Sequence, residues 1–355
     1  MKKNNLIFLV LLIAVSFFLF SHPAYAKKSG LLLGLRSDTP NPKVEGHRGY
    51  VPPQVHRYRT IWIYPRGNTL GINMGNRIIV PRDTGFWEVG VRRMKKKTTL
   101  KVGKKTVNKT WIEDIPYAVP LGKRPHPKFK NYTEHTNGLV DLSLLFVGNN
   151  YLCVDGCTAG YSQGAAHTFA GSFLRMHPLD NLKKSVKITQ IYSKNANKVL
   201  MKCADDYFKK HPDTRERLFE KGILDAWGLI RQSGHWVTRG FLNYKSEVVR
   251  GHFAHYDITL KPPAKLVSYD KLAPSWSVIK RNMPGALDAF SSPEGDILGV
   301  MTDKILYLYL HKGNNVNFRK PTLEIDLRKN ECAIMIQWAT GDFVNKWTQI
   351  IKKIL

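Results

Sequence analysis

The sequence has few acidic residues, few cysteines and no apolar run of membrane-spanning length. Against 27 Asp and Glu it carries 55 Lys and Arg, which gives the 355-residue chain a formal net charge of +28. Its four cysteines are not accompanied by a second cysteine or histidine pair at zinc spacing, so we predict no metal site. No sequence motif predicts a cofactor.

The first 26 residues have the pattern of a secretory signal peptide. Lys2 and Lys3 precede an apolar run from Leu6 to Phe20, and Ala24-Tyr25-Ala26 supplies the small residues of a cleavage site. The run is shorter than the roughly 20 residues that span a bilayer, and an uncleaved anchor is the alternative. Because no cysteine follows Ala26, we predict no lipid anchor. Cleavage near Ala26 would leave a secreted or cell-surface protein that has lost two lysines and carries a net charge of +26.

Positive charge is concentrated between residues 92 and 130. This segment contains thirteen Lys or Arg against two acids, Glu113 and Asp114. An excess of one sign is tolerated best beside anionic partners, so we predict contact with an anionic cell-wall polymer or a membrane surface, with nucleic acid as a third option. A solvated loop without a ligand is the alternative. The residues predicted to bind are Arg92, Arg93, Lys95, Lys96, Lys97, Lys101, Lys104 and Lys105.

Cys153 and Cys157 flank a predicted turn at Asp155-Gly156. A two-residue hairpin turn there would place the two cysteines on opposite faces of the hairpin. A three-residue loop would place them opposite each other, close enough for a disulfide. The sequence leaves both arrangements open. Cys203 lies on the apolar face of a predicted helix, so we expect it to be a buried free thiol.

Composition divides the mature chain into four regions. Residues 27–57 contain Ser, Pro, Gly and basic residues with little periodicity and are predicted to be an irregular lead-in. We predict a β-rich region over 58–150, an α+β region over 151–265 and a second β-rich region over 266–355 that ends in a helix. The clearest runs of Ile, Val and aromatic residues predict strands at Tyr58–Tyr64, Arg77–Val80, Phe86–Val91 and Trp227–Ile230.

Two segments have helical periodicity. Apolar residues recur at helical spacing over 196–210 and again over 341–355, so each segment predicts an amphipathic helix. Before the second helix, alternation from Cys332 to Trp338 predicts a strand. The stripe of the C-terminal helix could suit a membrane surface, but packing on a sheet is the stronger expectation. The predicted fold class is therefore α+β, with mostly antiparallel sheets.

Two short sequences repeat within the chain. Pro65–Ile72 matches Pro293–Val300, and Arg82–Trp87 matches Arg231–Trp236. Each pair predicts a strand, a tight glycine turn and a further strand. Repeated hairpins favour sheet blades, so an irregular β-propeller-like repeat is the alternative fold.

One motif allows a catalytic interpretation. Gly160-Tyr161-Ser162-Gln163-Gly164 fits the nucleophile elbow and resembles the form found in cutinase-like serine esterases. A secreted serine hydrolase that uses Ser162 is therefore the alternative function. The segment before Ser162 lacks the continuous apolar run of a central parallel strand. Without a complete catalytic constellation, a non-catalytic binding protein is the leading prediction.

The order of motifs over residues 150–265 carries a resemblance to a known domain. Tyr161–His167 is followed by Val186–Tyr192, a helix, a hairpin, and a segment ending in Leu-Lys-Pro-Pro at 260–263. This order resembles the exported domain shared by a peptidoglycan deacetylase and the lysozyme-sensing anti-sigma factor. The resemblance implies an α+β module in which a strand at 186–192 precedes the helix. It also implies a ligand at the cell envelope, which could be a protein. The loop of functional interest contains Tyr161, Gly164 and His167.

Residues 45–355 as a whole resemble a group of exported bacterial proteins. The landmarks are Arg82–Trp87, Gly164–His167, Asp288–Pro293 and Gln337–Gly341. This second resemblance implies export and no particular activity. The leading prediction is therefore a non-catalytic binding protein of the envelope or extracellular space, whose ligand and oligomeric state the sequence does not identify.

Overall fold

The computed structural model describes residues 28–40, 54–102, 105–125, 138–161, 168–211, 223–243, 253–311 and 315–355. The predicted signal peptide lies outside these residues. Within them the chain forms seventeen strands and four α-helices. The strands are β1 (Ser29–Pro40), β2 (Gln54–Arg66), β3 (Thr69–Gly75), β4 (Ile78–Arg82), β5 (Gly85–Val102), β6 (Lys105–Pro120), β7 (Gly138–Val147), β8 (Tyr151–Tyr161), β9 (Thr168–Pro178), β10 (Trp227–Gln232), β11 (His235–Asn243), β12 (Phe253–Asp257), β13 (Asp288–Ser291), β14 (Ile297–Met301), β15 (Ile305–Leu310), β16 (Leu323–Asp326) and β17 (Glu331–Thr340). The helices are α1 (Ile188–Ile191), α2 (Ala196–Lys210), α3 (Trp276–Asn282) and α4 (Asp342–Ile351).

The first sheet joins strands from both ends of the described chain, in the order β17-β1-β2-β3. Strand β1 pairs antiparallel with β17 on one side and with β2 on the other. Its side chains Leu31, Leu32, Leu33 and Leu35 are fully buried. The prediction that 27–57 is an irregular lead-in is therefore wrong over 29–40 and 54–57. A short continuous apolar run is the pattern of a central strand buried on both faces, and it has no alternation to reveal it.

The second sheet has six strands in the order β4-β5-β6-β7-β8-β9. Neighbouring strands are antiparallel except β6 and β7, which are parallel and meet at Glu113 and Val140. Strands β5 and β6 pair along their whole length, from Trp87 opposite Pro120 to Val102 opposite Lys105. Over 92–102 and 105–120 the predicted basic segment therefore consists of two long, paired antiparallel strands.

Strand β8 corrects the prediction of a turn at Asp155-Gly156. Cys153 and Cys157 lie on one continuous strand, and the turn is at Gly148, whose N–H donates to the Tyr151 carbonyl. Four residues of extended chain separate the cysteines by about 13 Å, whereas a disulfide joins Cα atoms less than about 7 Å apart. Both thiols are free. The boundary placed at 150 falls in the turn between the paired strands β7 and β8.

The third sheet (β10-β11-β12) and the fourth sheet (β13-β14-β15-β16) are antiparallel, and both contain one of the repeated hairpins. Positive φ angles are found at Gly67 (63°) and Gly295 (65°) in the first matched pair. Gly85 (109°) and Gly234 (85°) have positive φ in the second pair. A glycine turn between antiparallel strands therefore recurs at all four predicted positions, since glycine adopts this conformation without strain.

The two helices predicted from periodicity are confirmed as α2 and α4, and each packs its apolar face on a sheet. Helix α2 buries Leu200, Ala204 and Phe208 against the third sheet. Helix α4 buries Val344 and Ile351 between the first and second sheets. None of the helices in the described part of the chain has the length and hydropathy of a membrane span.

The strand that the domain resemblance implies at 186–192 is replaced by the single helical turn α1. The side-chain oxygen of Gln190 accepts a hydrogen bond from the Lys187 backbone N–H at 2.8 Å. This contact closes the N-terminus of the turn as a capping box does. Ile188 and Ile191 are buried on its inner side. Gln190, three positions after the N-cap residue Lys187, thus stabilises the helical turn.

The four sheets follow one another like the blades of a β-propeller, the alternative fold that the repeats predicted. One apolar core joins the first and second sheets, another joins the second and third, and a third joins the first and fourth. The third and fourth sheets are also connected, because Arg231 on β10 pairs with Asp288 on β13 at 3.0 Å. The fold is mostly antiparallel, as predicted, and its few helices lie outside the succession of sheets.

Candidate functional site

The predicted basic residues fall on the hairpin of β5 and β6. Arg92 and Lys95 are exposed on β5. Arg93 differs from them because its guanidinium donates to both carboxylate oxygens of Asp114, at 2.8 and 2.7 Å, and to Asp141. Lys96, Lys97, Lys101 and Lys105 lie on the two strands, and Lys104 lies outside the described residues.

Arg93 belongs to a buried network of alternating charge where the first and second sheets meet. Asp141 on β7 lies between Arg93, at 2.5 Å, and His56 Nε2, at 3.3 Å. His56 Nδ1 lies 2.7 Å from Asp38 on β1, and Asp38 lies 3.1 Å from Arg36 Nε. Because each charge has a neighbour of opposite sign, the network can remain ionised away from water.

The two carboxylates on either side of His56 make its ring a cation. Burial alone would lower the pKa of His56, but hydrogen bonds and charges from Asp141 and Asp38 outweigh burial and raise the pKa to about 9. An unperturbed histidine has a pKa of about 6.5 and is mostly neutral at pH 7. His56 is therefore positively charged at neutral pH.

Arg36 anchors the other end of the network. Its guanidinium donates to the Leu144 carbonyl at 2.6 Å, and the Leu144 N–H donates to the Tyr58 hydroxyl at 3.1 Å. Asp155 on β8 lies nearby, and burial raises its pKa to about 6, which the charges of Arg36 and His56 oppose only in part. The strands β1, β2, β7 and β8 thus share one polar centre within an otherwise apolar contact.

An open pocket of about 540 Å³ lies beside this network, between the first and second sheets. We call it the basic pocket. It is lined by His56, Arg57, Tyr58, Asn76, Arg77, Ile78, Glu88, Val89, Gly90, Val91, Tyr117 and Arg328. The lining contains three arginines against one carboxylate, whereas the charge of His56 is balanced by Asp38 and Asp141, so the arginines make the pocket cationic.

The single carboxylate of the basic pocket already has partners. Glu88 accepts a hydrogen bond from the Tyr117 hydroxyl at 2.9 Å and pairs with Arg77 at 3.4 Å. Arg328 donates to the side-chain oxygen of Asn76 at 2.8 Å, a neutral partner that leaves its charge uncompensated. Arg57 is exposed. An anion that entered the pocket would therefore meet unneutralised guanidinium groups.

The basic pocket adjoins the predicted basic strand. Tyr117 faces Gly90 across the hairpin, two residues before Arg92. The charges of Arg77 and Arg92 both act on the Tyr117 hydroxyl, whose pKa is nevertheless raised, chiefly by burial. Arg92 is exposed two residues beyond Gly90 on the same face of β5, so it extends the positive charge of the pocket along the strand. A surface of this kind can bind phosphate or carboxylate groups through bidentate arginine contacts.

The predicted loop Tyr161–His167 is described only at Tyr161. Ser162, Gly164 and His167 lie outside the described residues. The strand leading to Ser162 pairs antiparallel with β9, and Tyr161 lies opposite Thr168. A nucleophile elbow requires a strand followed by a helix, whereas the described residues on either side of this loop, Tyr161 and Thr168, belong to paired antiparallel strands.

Sequence reasoning missed His56, Arg57, Arg77 and Arg328 as members of one site. Arg57 and Arg77 border predicted strands, and Arg328 is more than 250 residues away from either. Nothing in the local pattern of these positions indicates that the first sheet brings them together. The pairing of β1 with β17 in the structure brings the segment that contains Arg328 close to β2. Sequence reasoning would have needed to predict this pairing to find the site.

Comparison with known proteins leaves the site to be interpreted from its own chemistry. No protein-family model matches the chain, and the curated proteins contain no match either.

Proposed function

We propose that the protein is an exported, non-catalytic binding protein of the cell envelope or extracellular space, and that its basic pocket binds an anionic polymer. The observation that carries this proposal is the lining of the basic pocket, in which three arginines face one carboxylate, and that carboxylate, Glu88, is paired with Arg77. A net charge of +28 over the whole chain supports the same kind of partner.

An extended polymer suits the surface better than a small anion does. The pocket is open, and the exposed residue Arg92 lies two residues beyond the lining residue Gly90 on the same face of β5. A polymer with repeated phosphates could occupy the pocket with one unit and the hairpin with the next. Each contact would release counterions, so the affinity would fall steeply as salt is added.

The buried network supports the proposal because it fixes the wall of the pocket before a ligand arrives. His56 is held by Asp38 and Asp141, and Asp141 is held by Arg93. Groups positioned in advance lose little conformational freedom on binding. Arg93 would therefore act within the fold, while Arg92 and Lys95 would meet the polymer.

The first test measures binding of the purified protein to immobilised poly(glycerol phosphate) between 50 and 300 mM salt. We expect the affinity to fall with salt. We expect the double substitution Arg57→Gln with Arg328→Gln to weaken binding by at least tenfold at low salt. Each lost contact should also reduce the slope of log affinity against log salt by about 0.7.

A matched control removes two positive charges elsewhere. Lys194 and Lys198 are exposed near the start of α2, so Lys194→Gln with Lys198→Gln lowers the net charge equally without touching the pocket. Equal losses in the two double variants would contradict a localised site. Retention on anionic phospholipid vesicles but not on the polymer would instead assign the cationic surface to lipid headgroups.

A further inference from the structure

A second pocket, of about 440 Å³, lies between helix α2 and strands β11 and β12. We call it the tyrosine pocket. Its lining includes Cys203, Tyr207, Arg239, His255, Tyr256 and Asp257. It belongs to the third sheet and shares no lining residue with the basic pocket.

The charges of the tyrosine pocket cancel. Arg239 donates to Asp257 at 2.6 Å, so these two groups neutralise each other. The remaining charged lining residues are Asp206 and Lys210, one of each sign. Burial, aided by the charge of Arg239, lowers the pKa of His255, which is therefore neutral at pH 7. A ligand entering this pocket meets hydroxyl, imidazole and aromatic groups with no net charge.

Tyr256 has a buried hydroxyl that the described part of the fold leaves without a hydrogen-bond partner. The residue is 4% exposed, and its oxygen makes no hydrogen bond to any described residue. A buried polar group without a partner destabilises a fold. Phenylalanine would fill the same space without that cost, so the hydroxyl calls for a role other than stability.

Gly240 lets the Tyr256 ring occupy this position. The ring lies across Gly240, and a Cβ atom there would be 2.2 Å from the Cζ atom of Tyr256. Tyr207 contributes a second aromatic ring, whose centroid lies 6.3 Å from that of Tyr256. The pocket therefore presents an unpaired hydroxyl beside aromatic surface.

We infer that the tyrosine pocket binds a neutral, hydroxyl-rich ligand of the saccharide class, with the Tyr256 hydroxyl as a hydrogen-bond partner and the Tyr207 ring as an apolar contact. Sugar hydroxyls both donate and accept, so they can satisfy the Tyr256 oxygen whichever way its proton points. Pockets of a few hundred Å³ with a few placed polar groups are typical of small-molecule sites. This inference concerns a separate site and does not rest on the anionic polymer.

The test titrates three neutral disaccharides, diacetylchitobiose, cellobiose and maltose, against the purified protein by calorimetry. We expect at least one to bind, and we expect Tyr256→Phe to weaken that binding by at least tenfold. Tyr256→Phe should also raise the melting temperature, because it removes a buried hydroxyl that has no hydrogen-bond partner among the described residues. A structural tyrosine would not give this opposite pair of changes.

Tyr269→Phe is the matched control. The Tyr269 hydroxyl donates to the Ser292 carbonyl at 3.1 Å, away from the pocket, so this variant should bind as the unmodified protein does and melt at a lower temperature. The inference is overturned if none of the three disaccharides binds, if Tyr256→Phe binds equally well, or if Tyr256→Phe melts at a lower temperature. Loss of polymer binding in the basic-pocket variants would leave the disaccharide result unchanged.

Discussion

The basic pocket and the tyrosine pocket each contain a histidine from a β-strand, yet His56 is positively charged and His255 is neutral. Carboxylates of Asp38 and Asp141 contact both ring nitrogens of His56 and raise its pKa to about 9. Burial and the cation Arg239 lower the pKa of His255. The comparison teaches that the neighbours of a histidine, rather than its residue type, decide which ligand charge a pocket suits.

The contrast extends from the histidines to the surrounding charges. In the basic pocket Arg328 pairs only with the neutral Asn76, whereas in the tyrosine pocket Arg239 pairs with Asp257. A guanidinium beside a neutral partner keeps its full charge for a ligand. A guanidinium beside a carboxylate contributes mostly shape and hydrogen bonding.

Replacing each histidine by alanine gives the largest expected difference. His56→Ala leaves Asp38 and Asp141 facing each other in a buried network, so we expect it to lower the free energy of unfolding by about 3 kcal/mol. His255→Ala removes a neutral ring that packs on Phe241 and should cost about 1 kcal/mol. Urea denaturation at pH 7 measures both. Equal losses would show that His56 is not part of a charged network.

The pH dependence of stability gives the next largest effect. The pKa of His56 is about 9 in the folded protein and about 6.5 unfolded. Its contribution is therefore complete below pH 6.5 and is lost as the pH rises through 9. We expect unmodified protein to lose about 2 kcal/mol more than His56→Gln between pH 6.5 and 9.5. Urea denaturation at each pH measures the loss of stability in both proteins. An equal loss in the two proteins would contradict the raised pKa of His56. As a control, His255→Gln should lose stability with pH as unmodified protein does.

The smallest expected effect comes from removing an acid. Glu88→Gln removes the one carboxylate of the basic pocket and frees Arg77, so poly(glycerol phosphate) should bind about threefold more tightly. Asp257→Asn removes an equal charge from the tyrosine pocket and should leave polymer affinity unchanged. Binding isotherms at low salt compare the two. A similar gain in both variants would indicate that overall charge governs binding rather than the basic pocket.

The parts of the fold that the sequence predicts are those with a local signature. Helices α2 and α4 follow from apolar spacing, and they begin within a residue of the expected positions. The four repeated turns could be predicted because each contains a glycine, which adopts a positive φ without strain. Within the repeats, Arg82 lies over Trp87 and Arg231 lies over Trp236, so matched sequence gives matched side-chain contacts.

The parts that sequence reasoning missed depend on distant partners. Strand β1 has an apolar core at 31–35 without alternation, and its identity as a strand depends on β17 and β2. The same holds for Asp155-Gly156, a favoured turn dipeptide that lies in a strand because β7 and β9 pair on either side of it. Pairing on two sides outweighs local turn preference.

The candidate site combines residues that sequence reasoning named with residues that it missed, and the binding role of both stays a prediction. Charge density along the chain identified Arg92 and Lys95 because consecutive basic residues are visible in the sequence. The same density included Arg93, whose bonds to Asp114 and Asp141 place it in the buried network. The basic pocket depends on residues from five separate segments. Export of the protein, its binding to an anionic polymer and the resemblance of residues 150–265 to the envelope domain all stay predictions.

The pairing of β1 with β17 has a consequence for the timing of folding. Ser29 lies opposite Thr340, so β1 is made more than 300 residues before the strand that pairs with it. A chain that emerges from a ribosome N-terminus first cannot complete the first sheet until residue 340 has emerged. Contacts so far apart in sequence form slowly. The third and fourth sheets contain only strands that are close in sequence, so they can form while β1 still lacks β17.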